Sequence, residues 1–246
     1  MSNQLLIYKH VVSISKEQHR DWSLKMDNKY FFTEQVNSFP LLSAEFAQSA
    51  SIYPIVFVGT EETLMPAAIV GLQEQKNLFI NEAGEWQADY IPAFIRRYPF
   101  VFSSGDDGKT FTLCIDEKFS GWNQTGSGER LFDSDGNQTQ YLNNVINFLQ
   151  IYQAQFRVTE AFCQQIKELD LLEPMQAQFT TNEGKKSSLS GFWGISRDKL
   201  NKLSQEQVFG LMQTGWLELI YLHLHSLNLF SQLAKKGTKV SNSEAE

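Results

Sequence analysis

The chain has 246 residues and carries 28 acidic against 21 basic side chains, a formal net charge of −7. A chain of this length buries enough apolar surface to hold a core without disulfides or a metal, so disorder is excluded for most of it. The acidic balance argues against a protein that works by neutralising phosphates, because non-specific nucleic-acid affinity comes from Lys and Arg.

Residues 1–40 are polar and irregular apart from residues 5–8 and the Tyr30-Phe31-Phe32 cluster, and Pro40 closes them. The first nine residues lack a basic region, and their apolar run is too short for a secretory leader, so the expected location is the cytoplasm. Ser43 is placed to cap a short helix through Ala50. Residues 52–58 are β-branched and aromatic and read as a strand, its start set at an edge or bulge by Pro54. Residues 67–72 and 77–80 read as two further strands around a turn at 73–76, and residues 111–115 as a fourth; the short connections favour antiparallel pairing. Asp89 can cap a helix that tolerates Pro92 in its first turn and ends near Arg97, ahead of Pro99.

Residues 131–136 form a turn-rich loop. Beyond it, Tyr141, Val145, Phe148, Leu149, Tyr152, Phe156, Phe162 and Ile166 recur at helical spacing without proline, which predicts one long helix over about 140–169. After Pro174, residues 176–181 and 187–194 read as a hairpin around Asn182-Glu183-Gly184-Lys185. Ser204 with Gln207 is a capping box opening a last helix over about 205–234. Residues 235–246 have little apolar character and are expected to be a disordered C-terminal tail. With no repeat and no linker in the middle, the expected architecture is a single globular α+β unit over residues 1–234, mostly antiparallel sheet packed against the two long helices.

Chemical motifs are scarce. Cys114 and Cys163 stand 49 positions apart without a nearby His and read as buried thiols. Gly121 to Ser127 has the first spacing of a P-loop but lacks its Lys. His223 and His225 point roughly 200° apart on a helix and cannot share a metal there. Asp133-Ser134-Asp135-Gly136 fails calcium-loop spacing and reads as a turn closed by Asp side chains. The pairs Asp106-Asp107 and Asp116-Glu117 flank turns and are expected to face solvent. There is no G-x-S-x-G elbow and no H-E-x-x-H. No catalytic residue, metal or cofactor is therefore assigned. Residues 219–234 are too short and too polar for a membrane span.

Between Phe79 and Trp122 lie ten aromatics in 44 residues, with seven acids and four bases. That stretch lacks the cationic track that single-strand nucleic-acid binders combine with stacking. One reading is a core crowded with rings, Arg96 and Arg97 complementing a helix end. The other is a ligand groove lined by Trp86, Tyr90, Arg96, Arg97 and Tyr98, able to stack on a ring or pair with a carboxylate.

The same stretch carries a resemblance. Tyr53-Pro54-Ile55-Val56-Phe57, Gly71-Leu72, Asn77-Leu78-Phe79, Trp86, Tyr90-Ile91-Pro92-Ala93 and Arg96-Arg97-Tyr98-Pro99-Phe100 resemble the bacterial SapC family. The similarity continues through Cys114-Ile115-Asp116, Leu131-Phe132-Asp133, Leu172-Glu173-Pro174 and Gly215-Trp216-Leu217 to Ser226-Leu227, spanning about residues 5–234. The resemblance implies a link to surface-layer biogenesis and carries over no catalytic residues. Members are encoded near TonB-dependent receptors, flavin-dependent halogenase-like proteins and cupin-like oxygenases. It thus implies a protein partner in surface or uptake machinery, a flavin-dependent or cupin-like enzyme among the candidates. The peptide-transporter permease of the same name is unrelated.

Two functions follow as expectations. One is a non-catalytic binding or assembly accessory of a bacterial surface-layer or outer-membrane nutrient-uptake system. The other is an enzyme, or an obligate partner of one, acting on a peptide or small molecule in the aromatic and arginine pocket.

Overall fold

Three residues after the turn that ends at Ile52, Ile55, Val56 and Phe57 form a strand with no exposed side chain. Burial of successive residues means that both faces of the strand are covered, which its continuous apolar run requires. In this computed structural model, which describes residues 5–60, 62–105, 110–180 and 186–243, that strand lies at the centre of a five-stranded antiparallel sheet. The order across the sheet is Leu172–Thr180, Lys186–Ile195, Ile55–Val58, Met65–Ile69, Ser38–Pro40. The expected hairpin is its longest pairing, and its turn at 182–185 lies outside the described residues.

The chain forms two compact units, and neither is continuous in sequence. One takes Met1–Lys29 and Phe94–Ala154; the other takes Tyr30–Ala93 and Gln155–Glu246. The expected α+β class, antiparallel sheets with helices, is what the chain forms. No linker marks the division into two compact units because each is assembled from two separated stretches.

The unit with the five-stranded sheet also holds the C-terminal helices. The capping box forms as read: Ser204 Oγ accepts from Gln207 N at 3.2 Å and Gln207 Oε1 from Ser204 N at 2.9 Å. The helix it opens is shorter than expected. It runs over Gln205–Gln213, stops at Gly215 with φ +75°, and gives way to Trp216–Ser226, a 3-10 turn Leu227–Leu229 and Phe230–Ser243. The left-handed backbone at Gly215 cannot continue a right-handed helix, and glycine adopts it without a Cβ penalty. Residues 235–243, expected to be disordered, belong to the last of these helices.

Residues 77–80 do not form the strand that their apolar character suggests. Asn77 Oδ1 accepts from Phe79 N at 2.8 Å and its Nδ2 donates to the Thr33 carbonyl at 3.2 Å, so the side chain takes the backbone partners a strand would use. Only an isolated bridge, Ile80 to Trp86, remains.

The other unit is built on the antiparallel sheet Val11–Ser13, Phe111–Asp116, Phe100–Ser104, in that order, with a small sheet of Trp122–Asn123, Ser23–Leu24 and Glu129–Arg130. The first strand falls in a segment that its polar composition marked as irregular. Asp116, expected to face solvent, is fully buried. Its carboxylate accepts from Lys9 N at 2.8 Å, His10 N at 3.0 Å, Lys118 N at 3.0 Å and the Tyr98 hydroxyl at 3.1 Å. Four donors replace the water that burial removed. Asp106 and Asp107 lie outside the described residues. Asp133 closes its turn as read, accepting from Asn137 N at 2.8 Å and Asp135 N at 2.9 Å. Those bonds hold its carboxyl below the usual range.

The long helix runs over Gln140–Glu168, close to its expected bounds. Thr139 Oγ1 accepts from Leu142 N at 3.3 Å at its start, and Asp170, at φ +50°, follows its end.

Candidate functional site

Of the five residues proposed for a ligand groove, Trp86 and Tyr90 lie in the unit with the five-stranded sheet, and Arg96, Arg97 and Tyr98 in the other. Trp86 and Tyr90 meet through Tyr53. The Tyr53 hydroxyl donates to the Tyr90 carbonyl, and Trp86 Nε1 donates to the Tyr53 hydroxyl oxygen at 2.9 Å and to the Tyr90 carbonyl at 3.2 Å. Burial pushes the Tyr53 phenol well up, so it stays a donor.

The Tyr90 hydroxyl donates in turn to Glu45 Oε1 at 2.7 Å. Glu45 is the residue that sequence reasoning missed here. Although buried, it also accepts from Ala93 N at 2.7 Å and from Leu42 N at 2.9 Å. The helical turn at Ala93–Arg96 therefore begins on Glu45 rather than on the exposed Asp89. Ser43, expected as a cap, instead pairs with Thr159, its N to Thr159 Oγ1 at 2.9 Å.

Rings surround this network. Phe79 stacks on Trp86 with centroids 6.1 Å apart, Tyr53 meets Phe79 edge-on at 4.8 Å, and Lys236 Nζ lies 3.7 Å over the Phe79 ring. Burial lowers the Lys236 pKa.

In the other unit the two arginines have different surroundings. Arg96 is exposed and lies 5.5 Å over Phe148. Arg97 is 3% exposed, with its guanidinium 4.4 Å from Phe94, 4.8 Å from Tyr152 and 5.7 Å from Tyr8. Tyr8 also packs edge-on against Tyr98 at 5.1 Å and donates to the Phe100 carbonyl at 2.7 Å. A guanidinium enclosed by three rings is held by their quadrupoles. Burial, reinforced by the Asp116 carboxylate, raises the Tyr98 pKa.

A second grouping had no sequence signature, because its members are about a hundred positions apart. Glu117 Oε2 lies 3.1 Å from His10 Nδ1, and its Oε1 lies 3.6 Å from Nε2 of the fully buried His19. Among the described residues no three ligating side chains are arranged to hold a metal ion.

An open concavity lies elsewhere. A trough of about 460 Å³ runs between the edge strand Leu172–Thr180 and the C-terminal helix. Met175, Gln176, Gln178, Phe192, Phe230 and Ala234 line it, with Phe192 and Phe230 stacked at 5.7 Å. The pairing of Leu172–Thr180 with its neighbour is irregular between Met175 and Ala177. Gly194 leaves the space that Met175 occupies, since a Cβ there would fall 1.9 Å from Met175 Sδ. Its only sequence signals were the hairpin and the apolar positions that follow Leu227.

An α+β unit whose buried ring clusters sit on antiparallel sheets is common to many protein classes, and its particular family comes from comparison. The family model described as SapC matches residues 14–233, and the chain belongs to the SapC family. No curated protein and no solved structure matches it. Among the described residues no helix is long and apolar enough to cross a membrane.

Proposed function

We propose that the chain is a non-catalytic binding or assembly protein serving a bacterial surface-layer or outer-membrane nutrient-uptake system, and that it holds an extended segment of a protein partner. The observation that carries this reading is the trough beside the edge strand. Its lining is apolar with two amides, the Ser231 hydroxyl, which donates to the Asn228 carbonyl at 2.9 Å, and no titratable side chain to act as a base, a composition suited to holding a chain rather than to proton transfer. An edge strand offers unpaired backbone groups to an added strand, and alternate side chains of that strand can enter a neighbouring hollow. The family's association with surface and uptake systems supports the choice of setting.

The groupings at Trp86 and Tyr90 and at Arg97 and Tyr98 are a second place to look for ligand contacts, and Arg96 is the member exposed to solvent. The test compares recovery from native lysate by the wild type, an Ala234→Trp variant that fills the trough, and an Arg96→Ala variant. The binding reading expects one discrete partner, lost with Ala234→Trp and kept with Arg96→Ala. Loss with Arg96→Ala alone moves the site to the arginine. Equal recovery by all three, or none by any, overturns the trough.

A further inference from the structure

The last helix, Phe230–Ser243, turns Leu233, Lys236 and Gly237 to one face, since residues three and four apart are neighbours on a helix. Leu233 is buried, and a Cβ on Gly237 would lie 3.4 Å from Leu78 Cδ1, so the helix backbone runs close to residues 78 and 79. Lys236 is half-buried beside them, with its Nζ 3.7 Å over the ring of Phe79. That ring is itself buried, stacked on Trp86 and met edge-on by Tyr53.

Few ammonium groups have such company. Among the described residues no carboxylate lies within ion-pair distance of Lys236 and no acceptor within hydrogen-bond distance. Lys199, also half-buried, donates to Asp170 Oδ1 at 3.0 Å and to the Leu172 carbonyl at 2.8 Å. Arg97 is the other cation set against rings, but a guanidinium keeps its proton, whereas a desolvated ammonium gives it up. Burial lowers the Lys236 pKa, so more of it is free amine at neutral pH than of an exposed lysine.

We propose that Lys236 is a reversible covalent site, an amine that condenses with the carbonyl group of an aldehyde of apolar body. The nitrogen lone pair attacks the carbonyl carbon, and the oxygen takes up the displaced π pair and a proton. The carbinolamine then loses that oxygen as water and leaves a C=N bond on Nζ. A lysine desolvated by apolar neighbours is the form in which this nucleophile is active. The protonated imine is again a cation on the same nitrogen, so the Phe79 face that attracts the ammonium attracts the product. Leu78 and Phe79 also keep water from one side of a bond that water hydrolyses. The site holds a ligand without turnover, and it does not rest on what the trough binds.

Benzaldehyde tests it on the full chain at neutral pH, with cyanoborohydride to reduce each imine to a stable benzylamine and peptide mass spectrometry to locate the label. Exposed Lys235 and Lys202 are the internal standards, the first on the same helix turn. Each unit of pKa changes the ratio of amine to ammonium about tenfold, so Lys236 should be labelled several-fold ahead of both, with its rate-against-pH curve displaced to lower pH. Without reductant, the near-ultraviolet absorbance of the benzaldehyde imine should appear in the wild type and be lost in Lys236→Arg, which keeps a cation for the ring but forms no imine. Labelling of Lys236 no faster than of Lys235 overturns the site. Labelling slower than both standards reduces the contact to a fastening of the helix on Phe79 and overturns it too, as does imine absorbance that survives Lys236→Arg.

Discussion

Glu45 shows how much one side chain can organise. Its two carboxylate oxygens serve Leu42 N, Ala93 N and the Tyr90 hydroxyl, and through Tyr90 the Tyr53 and Trp86 network. Replacing it with Gln leaves one acceptor oxygen and puts an amide among donors. Glu45→Gln should therefore cost about 2 kcal/mol, the scale of a buried group left unsatisfied. Asp89→Ala, at the position that the local pattern marks as the cap, should change stability by about 0.5 kcal/mol or less, as at most exposed sites. Urea midpoints of the two variants measure the difference, and equal effects would mean that Glu45 does not hold this junction. The contrast also shows what the sequence could reveal. Ser204 and Gln207 are three residues apart and their reciprocal bonds are local, so the capping box was readable. Glu45 and Ala93 are 48 positions apart, and no periodicity reports a bond of that span. Trp86 and Tyr90 could be picked as a pair, but Tyr53, which joins them, could not. Arg96 and Arg97 are neighbours in sequence whose different burial only the fold decides.

Between elements, His223 joins strands that barely pair. Lys186–Ile195 and Ile55–Val58 share one register pair, Trp193 with Phe57. His223 Nδ1 lies 2.8 Å from the Ile55 carbonyl, and its Nε2 accepts from Ile195 N at 3.0 Å. The carbonyl requires a proton on Nδ1 and the amide a bare Nε2, which fixes a neutral ring in one tautomer. Burial holds the pKa down at about 4, against the 6.5 of a free imidazole, with the Ile55 carbonyl opposing. Between those values the unfolded chain binds the extra proton and the folded chain does not, so stability falls as pH drops from 6.5 towards 4. At about 1.4 kcal/mol per unit the loss approaches roughly 3 kcal/mol. Urea midpoints measured against pH should show this slope, and His223→Gln should flatten it while lowering stability at neutral pH. A slope unchanged in that variant would assign it to other groups. Gly215 sets the next boundary. No atom lies within 4 Å of its would-be Cβ, so Gly215→Ala should cost about 1 kcal/mol through backbone conformation alone. Gly215→Asn should cost less, because Asn tolerates the left-handed region. Thermal melts of the pair separate this from a packing effect, which would penalise the larger Asn more. The apolar pattern runs smoothly through 205–234, so the break was visible only as a single glycine.

For the whole molecule, the division into two units explains why composition showed no boundary, since each unit closes over a long excursion of the chain. The unit containing Arg97 depends on its first residues. Val11–Ser13 pairs with Phe111–Asp116. Lys9 N and His10 N supply two of the four donors to buried Asp116, while Tyr8 covers Arg97 and bonds the Phe100 carbonyl. Removing residues 1–13 would leave Asp116 with Lys118 N and the Tyr98 hydroxyl, and would expose the edge of Phe111–Asp116. A buried charge stripped of partners costs about 3–5 kcal/mol, a large fraction of the stability of an ordinary domain. The truncated chain should therefore lose protection in hydrogen exchange across residues 100–104 and 111–116. It should also lose the near-ultraviolet dichroism of the Trp22 and Trp122 pair, whose rings lie 5.6 Å apart. The sheet of the other unit takes its strands from residues 38–195, so its amides supply the comparison. Selective loss is expected if the two units are separately held. Uniform loss would make them one cooperative structure, and full retention would show that the first thirteen residues are dispensable to Asp116.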